Sequence, residues 1–241
     1  MSEIIEIRSG VELPAIREEI TLNTSDGLKL VGELVMPITG DPVATLITLH
    51  PLPTHGGFMD SHVLRKASNR LPALANIAVL RFNTRGTTSD RGTSEGEFGN
   101  GITEQHDVEA ALAFAKQRGL PNLWLVGWSF GTELAIKYGS DKQIHGAILL
   151  SPPLHRASGE DLAKWEGSDK TLIALIPEHD DYLKPEEARK RFAVVPSAQI
   201  IDVADAKHLW VGEPSTARVL NEIVKAVNPS AYPLSETFEI S

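Results

Sequence analysis

Six short, uninterrupted apolar runs constrain the fold of this 241-residue chain more than any other feature. Runs of this length and continuity are typical of strands that are buried on both faces of a parallel sheet. Helix-like segments separate them, which predicts a mostly parallel sheet with helices on both faces. The runs are ATLITLH (44–50), IAVLRFN (77–83), LWLVGWS (123–129), GAILLS (146–151), TLIALIP (171–177) and AQIIDVA (198–204).

The segment that precedes the runs has the pattern of an antiparallel hairpin. Residues 18–36 alternate between apolar and polar side chains on either side of Asp26-Gly27, a dipeptide that favours a tight turn. The hairpin and the six runs together predict a sheet of about eight strands.

Helical spacing marks several of the connecting segments. Apolar residues recur every three or four positions over 108–115 and again over 217–227. A third helix, beginning near Ser61, is expected to kink or end at Pro72, because proline cannot donate the hydrogen bond that a helix interior needs. The last residues, NPSAYPLSETFEIS (228–241), are compatible with either a docked tail or disorder.

Composition excludes several classes of function. A formal net charge of −9 argues against a nucleic-acid or anionic-membrane partner, since both require a basic surface. The lack of cysteine excludes disulfides, thiolate metal sites and a cysteine nucleophile, and it fits a reducing cytoplasm. The sequence shows neither a signal peptide nor an apolar stretch of ~20 residues. We therefore expect a single soluble, cytoplasmic domain over residues 1–241.

A serine flanked by glycines stands where the third run meets a helix-like segment. Gly127-Trp128-Ser129-Phe130-Gly131 has the form G-x-S-x-G, in which a strained strand-to-helix turn exposes the serine hydroxyl above the sheet. The first N–H groups of the following helix can hold an oxyanion. Ser129 is therefore predicted to be a nucleophile; a glycine-flanked surface turn is the alternative interpretation.

Two further residues complete the predicted catalytic group, because a carboxylate and then a histidine follow the serine in this arrangement. Of the eight histidines, only His208 lies beyond the candidate acids, so we assign it as the general base. The acid is expected after the fifth run, where Asp180 is preferred, Asp181 is second and Glu178 also competes. The acid would orient His208 while His208 takes the proton of Ser129.

The loop after the first run is the expected source of a second oxyanion donor. It reads HPLPTHGG (50–57), and because proline has no N–H, Leu52 carries the only free backbone donor between His50 and Thr54. We predict that the N–H groups of Leu52 and Phe130 form the oxyanion hole. His50 either braces this loop by hydrogen bonding or is a core histidine.

Several segments together resemble the small bacterial α/β-hydrolases related to dienelactone hydrolase and the dipeptidyl-peptidase-type esterases. The resemblance covers residues 28–212 and rests on LITLHPLPTHGGFMD, AVLRFNTRG, SEGEFGNGITEQHDVEAAL, LVGWSFG, LLSPP, PEHDDYLKP and DAKHLW. It implies the α/β-hydrolase fold and a Ser129–Asp180–His208 triad. Relatives often carry HPHP where this chain has HPLP, so Leu52 replaces a histidine. Dienelactone hydrolases proper use a cysteine nucleophile, so that activity is not implied.

The cap that such folds carry between their sixth and seventh strands has little room in this chain. Only residues 152–170 are available for it, which is enough for a single helix and predicts a shallow, open site for small esters. The acidic loop at 178–181 is expected to disfavour strongly anionic substrates. Candidate pocket walls are Leu52, Phe58, Trp128, Leu154, Trp165 and Trp210.

These features predict a serine hydrolase, a carboxylesterase that acts on small-molecule esters through an acyl-enzyme and uses no cofactor or metal. A thioesterase or a peptidase-like acyl hydrolase is the nearest alternative. A ligand-binding scaffold without turnover is the second, because one fold can serve both purposes. A metal hydrolase with His50, His55 and His62 as ligands is the third, although the spacing matches no known metal motif.

Overall fold

The computed structural model describes residues 3–140 and 142–240, which contain twelve strands and six α-helices. The strands are β1 (Glu3–Glu6), β2 (Ile16–Asn23), β3 (Lys29–Met36), β4 (Ala44–Leu49), β5 (Ile77–Phe82), β6 (Thr88–Ser89), β7 (Gly92–Thr93), β8 (Leu123–Trp128), β9 (Gly146–Leu150), β10 (Thr171–His179), β11 (Gln199–Lys207) and β12 (Thr237–Ile240). The helices are α1 (His62–Ala75), α2 (Gln105–Gln117), α3 (Phe130–Gly139), α4 (Gly159–Ala163), α5 (Pro185–Phe192) and α6 (Glu213–Val227).

Eight of the strands form one sheet in the order β11-β10-β9-β8-β4-β5-β3-β2. The six apolar runs are the six strands β4, β5, β8, β9, β10 and β11, and each neighbouring pair among them is parallel. Strand β3 pairs antiparallel with both β5 and β2. The sheet therefore has the eight strands and the mostly parallel arrangement that the sequence predicts.

The hairpin predicted at 18–36 consists of β2 and β3, which pair from Ile16 opposite Met36 to Asn23 opposite Lys29. The turn between them is closed by the Gly27 N–H, which donates to the carbonyl oxygen of Thr24 at 3.0 Å. Gly27 has a φ of +90°, a backbone conformation that a side chain would make costly.

Helices cover both faces of the sheet and enclose an apolar core on each. On one face α1 contributes Val63 and Leu71, and α6 contributes Ile223. On the other face α2 contributes Ala111, and α3 contributes Leu134. Strands β4, β5 and β8 are buried along their whole length, which explains why their sequences are apolar runs. Within the described ranges, none of the helices combines the length and apolar character needed to cross a membrane.

Two boundaries differ from the sequence prediction. Helix α1 continues through Pro72, because the carbonyl oxygen of Ser68, which loses its helical donor there, accepts from the Arg17 guanidinium at 3.4 Å. Strand β11 continues past the apolar run to Lys207, because it follows the end of β10 through a register shift that pairs Lys207 with His179.

The C-terminal segment, for which the sequence allowed docking or disorder, is docked as β12. It pairs antiparallel with β1, from Glu3 opposite Ile240 to Glu6 opposite Thr237. The two strands form a small ribbon separate from the central sheet.

Candidate active site

Ser129 lies at a sharp turn between β8 and α3. Its φ of +52° is a left-handed value that non-glycine residues rarely adopt. The turn requires glycine on both sides of the serine. A Cβ on Gly127 would lie 2.4 Å from the carbonyl oxygen of Gly131, and one on Gly131 would lie 1.9 Å from that of Leu49 in β4. The G-x-S-x-G pattern therefore reflects how closely the strand and the helix approach one another.

Replacing Gly131 with alanine is expected to destabilise the protein, because the new methyl group overlaps a backbone carbonyl that the sheet holds in place. Overpacking of this kind is expected to lower the free energy of unfolding by about 3 kcal/mol, measured by urea denaturation. Gly159→Ala is the matched control, because a Cβ there meets no other part of the chain within 4 Å. Equal stability of the two variants would contradict the close approach.

Ser129, His208 and Asp180 form a continuous hydrogen-bonded chain at the carboxyl ends of β8, β11 and β10. His208 Nε2 lies 2.9 Å from Ser129 Oγ, and His208 Nδ1 lies 2.9 Å from Asp180 Oδ2. The side chains of His208 and Asp180 are almost fully buried, so little water competes for the bond between them. This arrangement allows the histidine to accept the serine proton.

Asp180 is held as a carboxylate. Its Oδ1 accepts hydrogen bonds from the N–H groups of Tyr182 at 2.8 Å and Leu183 at 3.2 Å. Burial by itself raises the pKa of Asp180, but the hydrogen bonds from His208 and Tyr182 outweigh it and hold that pKa below its ordinary value. An ionised carboxylate can only accept, so His208 Nδ1 carries the proton and Nε2 is left to accept from the Ser129 hydroxyl.

The other two candidate carboxylates form no hydrogen bond or ion pair with His208 among the described residues. Asp181 is exposed. Glu178 is also exposed, and its Oε2 accepts the N–H of Asp205 at 2.9 Å. Among the described residues, Asp180 is the carboxylate that the structure brings to the histidine.

The N–H groups of Leu52 and Phe130 are available to an oxyanion. Neither donates to an acceptor within residues 3–140 and 142–240, and both residues line the pocket that contains Ser129. Phe130 is the first residue of α3, so its N–H lies at the positive end of the helix. The backbone of Leu52 packs closely against Gly57, since a Cβ on Gly57 would lie only 2.9 Å from the Leu52 nitrogen. Gly57 is a support for this donor that the sequence analysis did not single out.

His50 is fully buried and braces the same loop. Its Nδ1 lies 2.7 Å from the carbonyl oxygen of Pro51, and its Nε2 accepts the Thr84 N–H at 3.0 Å. Because Nε2 accepts, the proton lies on Nδ1 and the ring is neutral. Burial lowers the pKa of His50 to about 4.

Acid is expected to weaken the fold through His50. The histidine of the unfolded chain takes up a proton below pH ~6.5, whereas folded His50 stays neutral down to about pH 4. The free energy of unfolding therefore includes the full stabilisation from neutral His50 above pH ~6.5. This stabilisation is lost as the pH falls from ~6.5 to about 4, by about 3 kcal/mol in all. Urea denaturation at neutral and at mildly acidic pH measures the loss.

Two histidine variants separate this effect from general acid sensitivity. His50→Gln is expected to flatten the pH dependence, because the titrating group is gone. His55→Gln removes an exposed histidine and is expected to keep it. A pH dependence that is the same in both variants would show that His50 is not the responsible group.

The backbone of His208 is fixed by two residues of neighbouring strands. The indole Nε1–H of Trp128 and the hydroxyl of Ser151 both donate to the His208 carbonyl oxygen, each at 3.1 Å. The His62 ring packs edge-on against Trp128, with 5.1 Å between ring centroids. Trp128, a candidate pocket wall in the sequence, is therefore placed as a buried support for the base. Ser151 lies in the LLSPP segment that contributes to the family resemblance, but the sequence analysis assigned it no role.

A small pocket of about 160 Å³ opens at Ser129. This volume is below the ~300–1,000 Å³ of typical ligand sites, which suits a small substrate. A larger cavity of about 520 Å³ lies by Asn76, just before β5, but the smaller one is the candidate site because Ser129 and His208 line it. The small pocket is lined by Pro51, Leu52, His55, Ser129, Phe130, Pro153, His155, Arg156, Tyr182, His208 and Leu209.

Of the six residues suggested as pocket walls, Leu52 is part of this lining and the other five lie outside it. These five are Phe58, Trp128, Leu154, Trp165 and Trp210, of which the last four are buried. Trp165, for example, packs in the core and donates its indole N–H to the carbonyl oxygen of Ile136 at 2.9 Å. Tyr182 and Leu209, which are exposed, form part of the wall instead.

The segment suggested as a minimal cap, 152–170, contains the five-residue helix α4. Ser158 begins this helix by accepting the Asp161 N–H, while the Asp161 side chain accepts the Ser158 N–H. The residues of the segment that reach the pocket are Pro153, His155 and Arg156, from the loop before the helix.

The three histidines considered as metal ligands make separate contacts. His50 binds the backbone of its own loop, and His62 Nε2 lies 3.2 Å from the carbonyl oxygen of Trp210. His55 Nδ1 lies 3.1 Å from the Thr54 hydroxyl. Among the described residues, the group with metal-ligand spacing is the exposed set Glu178, His179 and Asp205.

Comparison with known sequences gives a partial match. No protein-family model matches the chain. An uncharacterized protein of Rickettsia prowazekii is 34% identical over 118 residues, a match that covers 47% of this chain and 46% of that protein. The match thus spans about half the length of the curated relative.

Comparison with solved structures identifies the fold. An α/β serine hydrolase homologue from Coxiella burnetii has a TM-score of 0.72 and 23% identity over 87% of this chain and 97% of its own. An α/β serine hydrolase without a lid from Xanthomonas campestris has a TM-score of 0.71 and 24% identity, and the match covers 93% of this chain and 99% of that protein. An esterase from Pyrococcus furiosus has a TM-score of 0.69 and 21% identity, and the match covers 88% of this chain and 93% of that protein. The chain has the α/β-hydrolase fold.

Proposed function

We propose that this protein is a serine hydrolase that cleaves small carboxylic esters through an acyl-enzyme. The observation that carries the proposal is the chain of 2.9 Å hydrogen bonds from Ser129 through His208 to Asp180, beside a pocket with two available N–H donors. Proteins described as serine hydrolases and as an esterase share the fold, which supports the same class.

Acylation begins when Ser129 Oγ attacks the carbonyl carbon of the ester while His208 Nε2 takes the hydroxyl proton. The carbonyl oxygen becomes an oxyanion, which the N–H groups of Leu52 and Phe130 stabilise by hydrogen bonds. Asp180 stabilises the imidazolium ion that forms. The bond to the alcohol oxygen then breaks, His208 returns the proton to that oxygen, and the acyl group remains on Ser129.

Deacylation repeats these steps with water as the nucleophile. His208 takes a proton from the water as its oxygen attacks the acyl carbon, and the second oxyanion occupies the same site. The bond to Ser129 Oγ breaks, and the serine recovers its proton from His208. One ester and one water have become one carboxylic acid and one alcohol.

The shape of the site favours small esters. The pocket holds about 160 Å³, and the segment that would cap it contributes a loop and a five-residue helix. Thioesters follow the same steps, because a thiolate is a better leaving group than an alkoxide once the tetrahedral intermediate has formed. They therefore belong in any test of this proposal.

The experiment that tests the proposal is reaction of the folded protein with a fluorophosphonate probe, followed by peptide mapping. Rapid labelling confined to Ser129 is expected, because such probes react with a serine whose base and oxyanion donors are assembled. Hydrolysis of short-chain alkyl esters, matched thioesters and matched amides then gives the bond preference. A folded sample that is neither labelled nor active would favour the ligand-binding scaffold.

A further inference from the structure

The alcohol part of the substrate lies beside His208 during the reaction. In the proposed function, on which this inference rests, His208 Nε2 returns a proton to the leaving oxygen and is within hydrogen-bond reach of it. The side chains that flank His208 in the pocket therefore contact the leaving alcohol.

Aromatic rings flank His208 on this side. The Tyr182 ring lies 4.6 Å from the His208 ring, with 68° between the planes, and the His155 ring lies 5.5 Å from Tyr182 at 82°. All three residues line the pocket that contains Ser129. The Tyr182 N–H donates to Asp180 Oδ1 at 2.8 Å, which fixes the residue beside the catalytic group. The three rings thus form an edge-to-face row that starts at the catalytic base.

The apolar surface beside this row is open to solvent. Tyr182 is 58% exposed and Leu209, which follows His208 in the chain, is 55% exposed. Large apolar side chains that stay exposed together mark a binding surface. Among the described residues no carboxylate lines the pocket, since Glu178 and Asp181 lie outside it. The absence of a carboxylate disfavours a cationic leaving group, and the guanidinium of Arg156, which also lines the pocket, is paired with Glu133 at 3.3 Å. The surface therefore suits an apolar leaving group.

We propose that the substrates are esters of alcohols that carry an aromatic ring, and that Tyr182 is the residue that determines this preference. The ring of the alcohol packs against Tyr182 while its oxygen receives the proton from His208. Aromatic pairs contribute beyond the area that they bury, by an amount that corresponds to a roughly two- to tenfold preference over a saturated ring of the same size.

Benzyl acetate and cyclohexylmethyl acetate form the matched pair of substrates for this test. Both yield the same acetyl-enzyme and release a primary alcohol, so their deacylation is identical. The difference in kcat/KM then reports acylation, in which the leaving group is still present. We expect a roughly two- to tenfold higher kcat/KM for the benzyl ester.

Variants at Tyr182 assign the preference to its ring. Tyr182→Phe keeps the ring and is expected to keep the benzyl preference. Tyr182→Leu keeps an apolar side chain without a ring, so the preference is expected to fall to the intrinsic difference between the two esters. Tyr232→Leu is the matched control, because Tyr232 is also exposed (45%) and lies outside the pocket; its preference is expected to equal that of the wild type.

A binding measurement tests the same point without turnover and without a variant. Benzyl alcohol is expected to slow fluorophosphonate labelling of Ser129 at lower concentration than cyclohexylmethanol. Equal kcat/KM for the two acetates together with equal protection by the two alcohols would overturn this inference and leave the serine mechanism intact. The loss of the preference in Tyr182→Phe would overturn the role of the ring. A protein without labelling or turnover would overturn the proposed function and this inference with it.

Discussion

Replacing Ser129 with alanine is expected to abolish ester turnover and fluorophosphonate labelling together. The substitution removes the oxygen that attacks the ester, and the loss of a serine nucleophile from such a group lowers kcat by about a millionfold. The fold is expected to persist, because the change removes one atom and adds none. Steady-state turnover, probe labelling and urea denaturation of the same preparation measure the three effects.

An exposed serine provides the control for this variant. Ser235 is exposed, and its hydroxyl donates to the carbonyl oxygen of Thr237 far along the chain from the pocket. Ser235→Ala is expected to be labelled and to turn over esters like the wild type. Labelling of Ser129→Ala at the wild-type rate would mean that another residue is the nucleophile.

Replacing Asp180 with asparagine is expected to lower kcat by about ten-thousandfold. The amide can donate a hydrogen bond to His208 Nδ1, which would leave the proton on Nε2 and prevent that nitrogen from accepting the Ser129 proton. The amide also carries no charge to stabilise the imidazolium ion. Burst and steady-state kinetics with a short-chain ester measure the loss, and circular dichroism checks that the variant is folded.

Asp181→Asn is the matched control, since Asp181 is the next residue and is exposed. The same chemical change there is expected to leave kcat and kcat/KM at the wild-type values. If Asp181→Asn showed the large loss and Asp180→Asn did not, the acid would be misassigned and the loop would have to rearrange in solution.

The sheet could be predicted because its strands are buried on both faces. That burial makes β4, β5 and β8 predominantly apolar, which is visible in the sequence without any structure. The hairpin could be predicted from local features alone, namely the alternation of apolar and polar residues and the Asp26-Gly27 turn. Ser129, Asp180 and His208 could be placed because each follows the end of a parallel strand, and such ends meet at one edge of the sheet.

Apart from Leu52, the pocket walls could not be predicted, because the residue type does not say which way a side chain faces. Trp165 and Trp210 are large and apolar, but both are buried in the helix–sheet cores. Tyr182 lies in an acidic loop, where nothing local shows that its ring reaches His208. That contact depends on β11 running as far as Lys207, and the polar residues at the end of this strand read as a loop in the sequence.

His208, the proposed base, follows β11, which is one of the two edge strands of the sheet, whereas Ser129, the proposed nucleophile, follows β8 near its centre. Strand β11 has a neighbour on one side only and is largely exposed, whereas β8 is buried along its whole length, so we expect β11 to open at a lower free energy. The hydrogen bonds from Trp128 and Ser151 to the His208 carbonyl oxygen connect the end of β11 to the central strands β8 and β9. The two groups that are proposed to react thus follow strands that differ in local stability. We therefore expect heat to inactivate the protein at a lower temperature than the one at which the central sheet unfolds.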